Sequence, residues 1–152
     1  MSDAGAAANA FRFDSSDPSR DRARLFLELR AFGQTCGWSQ PIENEIELIL
    51  EEWWTNLINY AFPENDDPFV NVEITSTKAL ACVRVIDNGI PFDPAARADP
   101  DLSLPAEERP IGGLGIYMMK KLSNSLKSER KDDRNILQIE KDLQKPVLGA
   151  KR

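Results

Sequence analysis

The sequence predicts an α+β fold, and three observations carry that reading. Two segments with helical spacing run back to back before Pro63. Two segments that alternate apolar and polar residues follow them, and a second alternating pair lies near the end of the chain, beyond a glycine-led helix. With 152 residues and 41% hydrophobic content, the chain suits one globular domain with a substantial core.

Each element has a local reason. Residues 1–10 are small and polar and read as a flexible end, after which Phe11-Arg12-Phe13 alternates like a short edge strand. Asp17-Pro18-Ser19 is helix-start chemistry, and Leu25, Leu29, Phe32 and Cys36 recur at helical spacing until Gly37 stops them. Pro41 opens a second helix that must end by Pro63. Within it, Glu45 to Phe62 reads as one amphipathic helix around which the chain is organised. Ile42, Ile46, Ile49, Trp53, Leu57 and Tyr60 form its apolar stripe, and Glu52, Asn56 and Asn59 line one border of that stripe. Pro63 to Pro68 is a turn, and the alternation of Phe69–Ile74 and of Leu80–Asp87 predicts a hairpin. From Asn88 to Gly112, five prolines sit among charged residues, the pattern of a long lid or a disordered loop. Gly112-Gly113-Leu114-Gly115 opens a third helix through Leu122. Leu126–Arg130 and Ile136–Lys141 form a last hairpin, and 144–152 is expected to be a flexible tail.

Composition excludes several functions. A net charge of −6 leaves no broad basic surface for a nucleic-acid backbone, so no direct nucleic-acid partner is expected. Cys36 and Cys82 lack the spacing of a zinc or redox motif and suit a reducing compartment. MSDAGAAANA has neither the basic nor the apolar region of a signal peptide, and no apolar run reaches membrane-spanning length. A soluble cytoplasmic protein without membrane contact is expected. The chain contains no histidine, which rules out a histidine base, a histidine metal ligand and an internal phosphohistidine.

Three short patterns bear on chemistry. Glu52 and Asn56 stand four apart on a helix, so a carboxylate and an amide can reach one bound group. Asp87-Asn88-Gly89 ends a strand and, by itself, is an ordinary turn. Gly113, Leu114, Gly115 and Ile116 form a helix start stripped of bulk, where an anion can be received. This is neither a Walker A loop, since Gly-Lys-Ser/Thr is missing, nor GxGxxG, since Met118 holds the third glycine position.

In this order, Glu-x-x-x-Asn on a helix, Asp-x-Gly ending a strand, a long loop and Gly-x-Gly opening a helix, the patterns resemble the nucleotide-binding domain of the GHKL ATPase and kinase superfamily. In its shortness the chain is most similar to the stand-alone serine-protein kinases that act as anti-sigma factors, the RsbW-like group. The likeness covers roughly Phe11 to Leu143 and rests on Glu52-Trp53-Trp54-Thr55-Asn56, Asp87-Asn88-Gly89-Ile90-Pro91-Phe92-Asp93 and Gly112 to Ile116.

This resemblance implies a two-layer α/β sandwich of the Bergerat type, with a mixed, largely antiparallel sheet, helices on one face and an ATP lid near 93–111. It implies ATP and Mg²⁺ as cofactors. Asp87 and Gly89 would meet adenine, Asn56 would hold the metal, and Gly113 to Ile116 would face the phosphates. Arg109 would add charge to them, and Glu52 would be the general base. The implied partners are a sigma factor and an anti-anti-sigma antagonist of the STAS type, with the chain itself a homodimer. Two other readings share these residues: an ATP-binding regulator with little phosphotransfer, and a detached histidine-kinase-type catalytic domain acting on another chain. The chain departs from the family pattern at Pro91, where a second glycine is common. It departs also at Tyr60 for histidine, at Asn135 for threonine, and at Trp53 and Trp54 for small residues.

Overall fold

A computed structural model describes residues 8–64, 67–94, 102–105, 107 and 113–148. Strand β1 is Asn9–Ser15, beginning two residues ahead of Phe11. Helix α1, Pro18–Cys36, starts where the sequence predicts, because the Asp17 side chain accepts from Arg20 N and proline fills the first turn. It stops at Gly37, whose φ of 76° is the left-handed cap that glycine adopts without strain.

Helix α2, Gln40–Asn56, is capped by the Ser39 side chain, which accepts from Ile42 N. The expected single helix to Phe62 does not continue as one: Leu57–Ala61 is a π-turn. A wider turn slips the helical phase, so Ile42, Ile46, Ile49, Trp53 and Leu57 are all buried while Tyr60, expected on the same stripe, is 52% exposed.

Strands β2, Val70–Ser76, and β3, Leu80–Asp87, pair as predicted, with Val72 opposite Val85. Helix α3 is Gly113–Leu122. Strands β4, Ser125–Lys131, and β5, Arg134–Asp142, form the final hairpin, turned by Asp132 and Asp133 at positive φ. Among the described residues the sheet runs β1-β2-β3-β5-β4, and every pairing is antiparallel. Phe13, Val72, Ile74, Val83, Val85, Leu137 and Ile139 point from one face into a core shared with Leu25, Leu29, Ile46, Leu50, Trp54 and Met119 of the helices. The opposite face is polar, with Glu73 between Arg12 and Arg84. This is the α+β two-layer arrangement expected. Most of the expected lid, including Arg109, lies outside the described residues, as do 1–7 and 149–152.

One polar cluster is built into the core. Lys141 Nζ donates to Glu45 Oε1 at 2.5 Å and to Leu122 O at 2.6 Å, and both charged side chains are essentially inaccessible. Glu45 also accepts from Val147 N at 3.0 Å and Leu148 N at 2.5 Å. The ion pair thereby joins α2, the end of α3, β5 and the segment beyond it.

Candidate active site

The helix-facing side of β3 ends on Asp87, which is 1% exposed. Strand register sets Asp87 opposite Asn135 of β5, and Asn135 Nδ2 donates to Asp87 Oδ1 at 3.0 Å and to Ile90 O at 2.8 Å. Gly89 N donates to the same Asp87 oxygen at 2.8 Å. Arg130 closes the ring by donating to Gly89 O at 2.8 Å and to Asn135 Oδ1 at 3.2 Å, and Phe92 N also donates to Asn135 Oδ1, at 3.3 Å. Two donors on that amide oxygen fix which way the Asn135 side chain is turned.

One atom is left over. Asp87 Oδ2 is buried without a hydrogen-bond partner. Burial pushes the Asp87 carboxyl above the usual carboxylate range, with Asn135, the Gly89 N–H and Arg130 acting in the opposite direction. A dry, unpaired carboxylate oxygen is costly, and a ligand donor placed there would remove the cost.

The turn after β3 is tied to its surroundings. A Cβ on Gly89 would stand 2.7 Å from both Ala61 Cβ and Ala61 O, and Ile90 N donates to that carbonyl at 2.9 Å. Glycine is needed here because the π-turn comes that close. Asn88 Oδ1 accepts from Phe69 N at 2.8 Å, which fixes the turn to the start of β2. Beside Gly89, a cleft of about 390 Å³ opens between Ala61, Glu64, Ile90 and Arg130.

Glu52 and Asn56, one turn apart on α2, are half-buried. The start of α3 lies directly against Glu52: a Cβ on Gly115 would fall 2.5 Å from Glu52 Oε1. Ile116 anchors α3 in the core at 1% exposure, while Leu114 is 46% exposed. Gly113 is the first residue of α3. Glu51 is turned to Arg22 of α1, with which it forms an ion pair, so it does not share the Glu52 border. Trp53 and Trp54 are both core residues. Trp54 Nε1 donates to Pro18 O at 2.8 Å, and Trp53 stacks on Phe92 with centroids 6.0 Å apart.

The structure therefore brings Glu52 against Gly115, with Asn56 one turn further along the same helix, and brings Asp87 to Gly89. It adds Arg130, to which sequence reasoning gave no site role, and gives a specific bond to Asn135, which stands where the family commonly has a threonine near the phosphates or adenine. Their signal was present in the final hairpin: Arg130 and Asn135 face each other across its turn.

An antiparallel sheet backed on one face by helices, with Glu52 against the start of α3 and Asp87 against Gly89, suits an ATPase-type domain. The chain belongs to the histidine kinase-like ATPase domain family, whose model matches residues 15–141. Among curated relatives, the serine/threonine-protein kinase BtrW of Bordetella bronchiseptica is 24% identical over 102 residues, covering 67% of this chain and 72% of BtrW. The serine-protein kinase RsbW of Listeria monocytogenes is 30% identical over 105 residues, covering 66% of this chain and 67% of that protein. In fold, the chain is similar to the crystal structure of the RsbU and RsbW domains of Rv1364c from Mycobacterium tuberculosis. The TM-score is 0.60 at 13% identity, and the match covers 88% of this chain but 32% of the longer one.

Proposed function

We propose that this chain is an ATP-dependent serine/threonine-protein kinase that acts as a cytoplasmic anti-sigma factor and phosphorylates an anti-anti-sigma antagonist of the STAS type. The observation that carries the reading is the contact of Glu52 with the glycine-led start of α3, which puts a carboxylate beside the helix end best suited to receive a phosphate. The names of the relatives, both protein kinases, support the same reaction class.

The residues present fit ATP. The unpartnered, buried Asp87 Oδ2 is an acceptor suited to the amino group of adenine. Backbone N–H groups at Gly113, Leu114, Gly115 and Ile116 would face the phosphates, and Arg109 would add positive charge. Asn56 offers an amide oxygen, a hard donor suited to Mg²⁺. When bound, MgATP supplies the phosphoryl group to be transferred. Glu52 accepts the proton of the attacking serine or threonine hydroxyl, and its place on a packed helix keeps that acceptor near the α3 start. Residues 11–143 form the kinase domain in this reading, and the partners are a sigma factor, the antagonist and a second copy of the chain.

Glu52→Gln tests the proposal, because it keeps size and hydrogen bonding but removes basicity. Transfer of labelled phosphate to a STAS antagonist should fall by about 10²–10⁴-fold, while ATP affinity by calorimetry is retained. A wild-type protein that binds ATP and sigma factor yet phosphorylates no antagonist would instead be a binding regulator.

A further inference from the structure

Among the described residues, two buried side-chain polar atoms have no hydrogen-bond partner: Asp87 Oδ2, an acceptor, and Trp53 Nε1, a donor. They come from different elements, β3 and α2, yet they belong to one neighbourhood. Asn135 bonds Asp87 through its amide nitrogen and the Phe92 N–H through its amide oxygen. The Phe92 ring in turn stacks on Trp53, at an interplanar angle of 21°. A phenyl ring at position 53 would supply the same apolar stacking without a stranded N–H, so packing alone does not account for an indole there.

An acceptor and a donor left open in one neighbourhood, linked through Asn135 and Phe92 and not bonded to each other, suit a ligand edge that carries a donor next to an acceptor. Adenine has that edge on either side of its amino group, with ring nitrogen N1 or N7 as the acceptor. We propose that Trp53 Nε1 is a second base-recognition group, donating to a ring nitrogen of adenine while Asp87 Oδ2 accepts from the adjacent amino group. The inference rests on the ATP-binding reading above and extends it to a residue on the motif helix itself. Phe92, 38% exposed, then covers the indole from the solvent side.

The test uses calorimetry with ATP, 1-deaza-ATP and 7-deaza-ATP on the wild type and on Trp53→Phe. The wild type should bind one of the two deaza analogues about three- to tenfold more weakly than ATP. Trp53→Phe should lose the same factor for ATP and nothing further for that analogue. Its melting temperature should not fall, since the variant removes a buried unpaired donor. Equal affinity of the wild type for ATP and both analogues would overturn the inference without any variant. So would an unchanged ATP affinity in Trp53→Phe, or an equal loss for all three ligands, which is the mark of a packing defect. If Asp87→Ala weakens ATP and Trp53→Phe does not, only the Trp53 inference falls. If the wild type binds no ATP, the nucleotide reading falls with it.

Discussion

At the Asp87 end of the site, carboxylate, amide, guanidinium and turn N–H are bonded in a closed ring with one oxygen to spare. At the Glu52 end, among the described residues, no hydrogen bond or ion pair holds the side chain of Glu52 or Asn56; Glu52 stands on helix α2 with its Oε1 against Gly115. The first end is pre-organised for a ligand of fixed shape. The second leaves its carboxylate without such bonds, which suits the proton-accepting role proposed for Glu52. A hydrogen-bonded end and an unbonded end thus sit on different elements, joined by α2 and its π-turn.

The sharpest way to break this contrast is Gly115→Ala, whose methyl would crowd Glu52 Oε1 at 2.5 Å. The end of a flexible side chain can swing away, so the melting temperature should change little. A displaced base, however, should lower phosphate transfer by about 10²-fold in a single-turnover assay. An unchanged rate would mean that the contact is incidental.

At the rigid end the effect should appear in binding. Asp87→Ala should weaken ATP by roughly one to two decades, the value of a hydrogen bond to a charged acceptor, about 1.5–3 kcal/mol. Calorimetry that finds no change would remove Asp87 from the site. Gly89→Ala acts through packing: a Cβ 2.7 Å from Ala61 O meets backbone that cannot swing aside, so denaturant melts should show a loss of about 1–3 kcal/mol.

The smallest effect concerns pH. Because burial raises the Asp87 pKa, the stability tied to its neutral form is complete below the unfolded value of about 3.9 and is lost as pH rises through the folded value. Asp87→Asn keeps the shape and the bonds to Oδ1 but does not titrate. The melting temperature of the variant relative to the wild type should therefore climb from about pH 4 upward. A difference that stays flat with pH would show that Asp87 does not titrate differently in the folded protein.

Much of this was legible in the residues. Asp17-Pro18 and Gly37 bounded α1, and alternation alone placed both hairpins, because capping and pleat are local rules. The π-turn was not legible, since an apolar period read at helical spacing cannot register a single widened turn, and Tyr60 was misplaced for that reason. The bond from Asn135 to Asp87 spans 48 positions and depends on which strand lies next to β3, which alternation does not specify. Glu45 was equally silent: a glutamate in a helix reads as solvated until β5 delivers Lys141 to it.

That last pairing also sets an order of events in time. Glu45 lies on the helix that carries Glu52 and Asn56, but its countercharge is 96 positions downstream and its backbone donors are 102 and 103 positions downstream. A ribosome that has released only α2 and the first hairpin exposes a carboxylate that must stay in water, since burying it without its lysine carries a heavy desolvation penalty. The complete set of partners for Glu45 is present only after Lys141 has emerged and Val147 and Leu148 have followed. The buried anchor of α2 is thus complete only once β5 and the segment after it are in place.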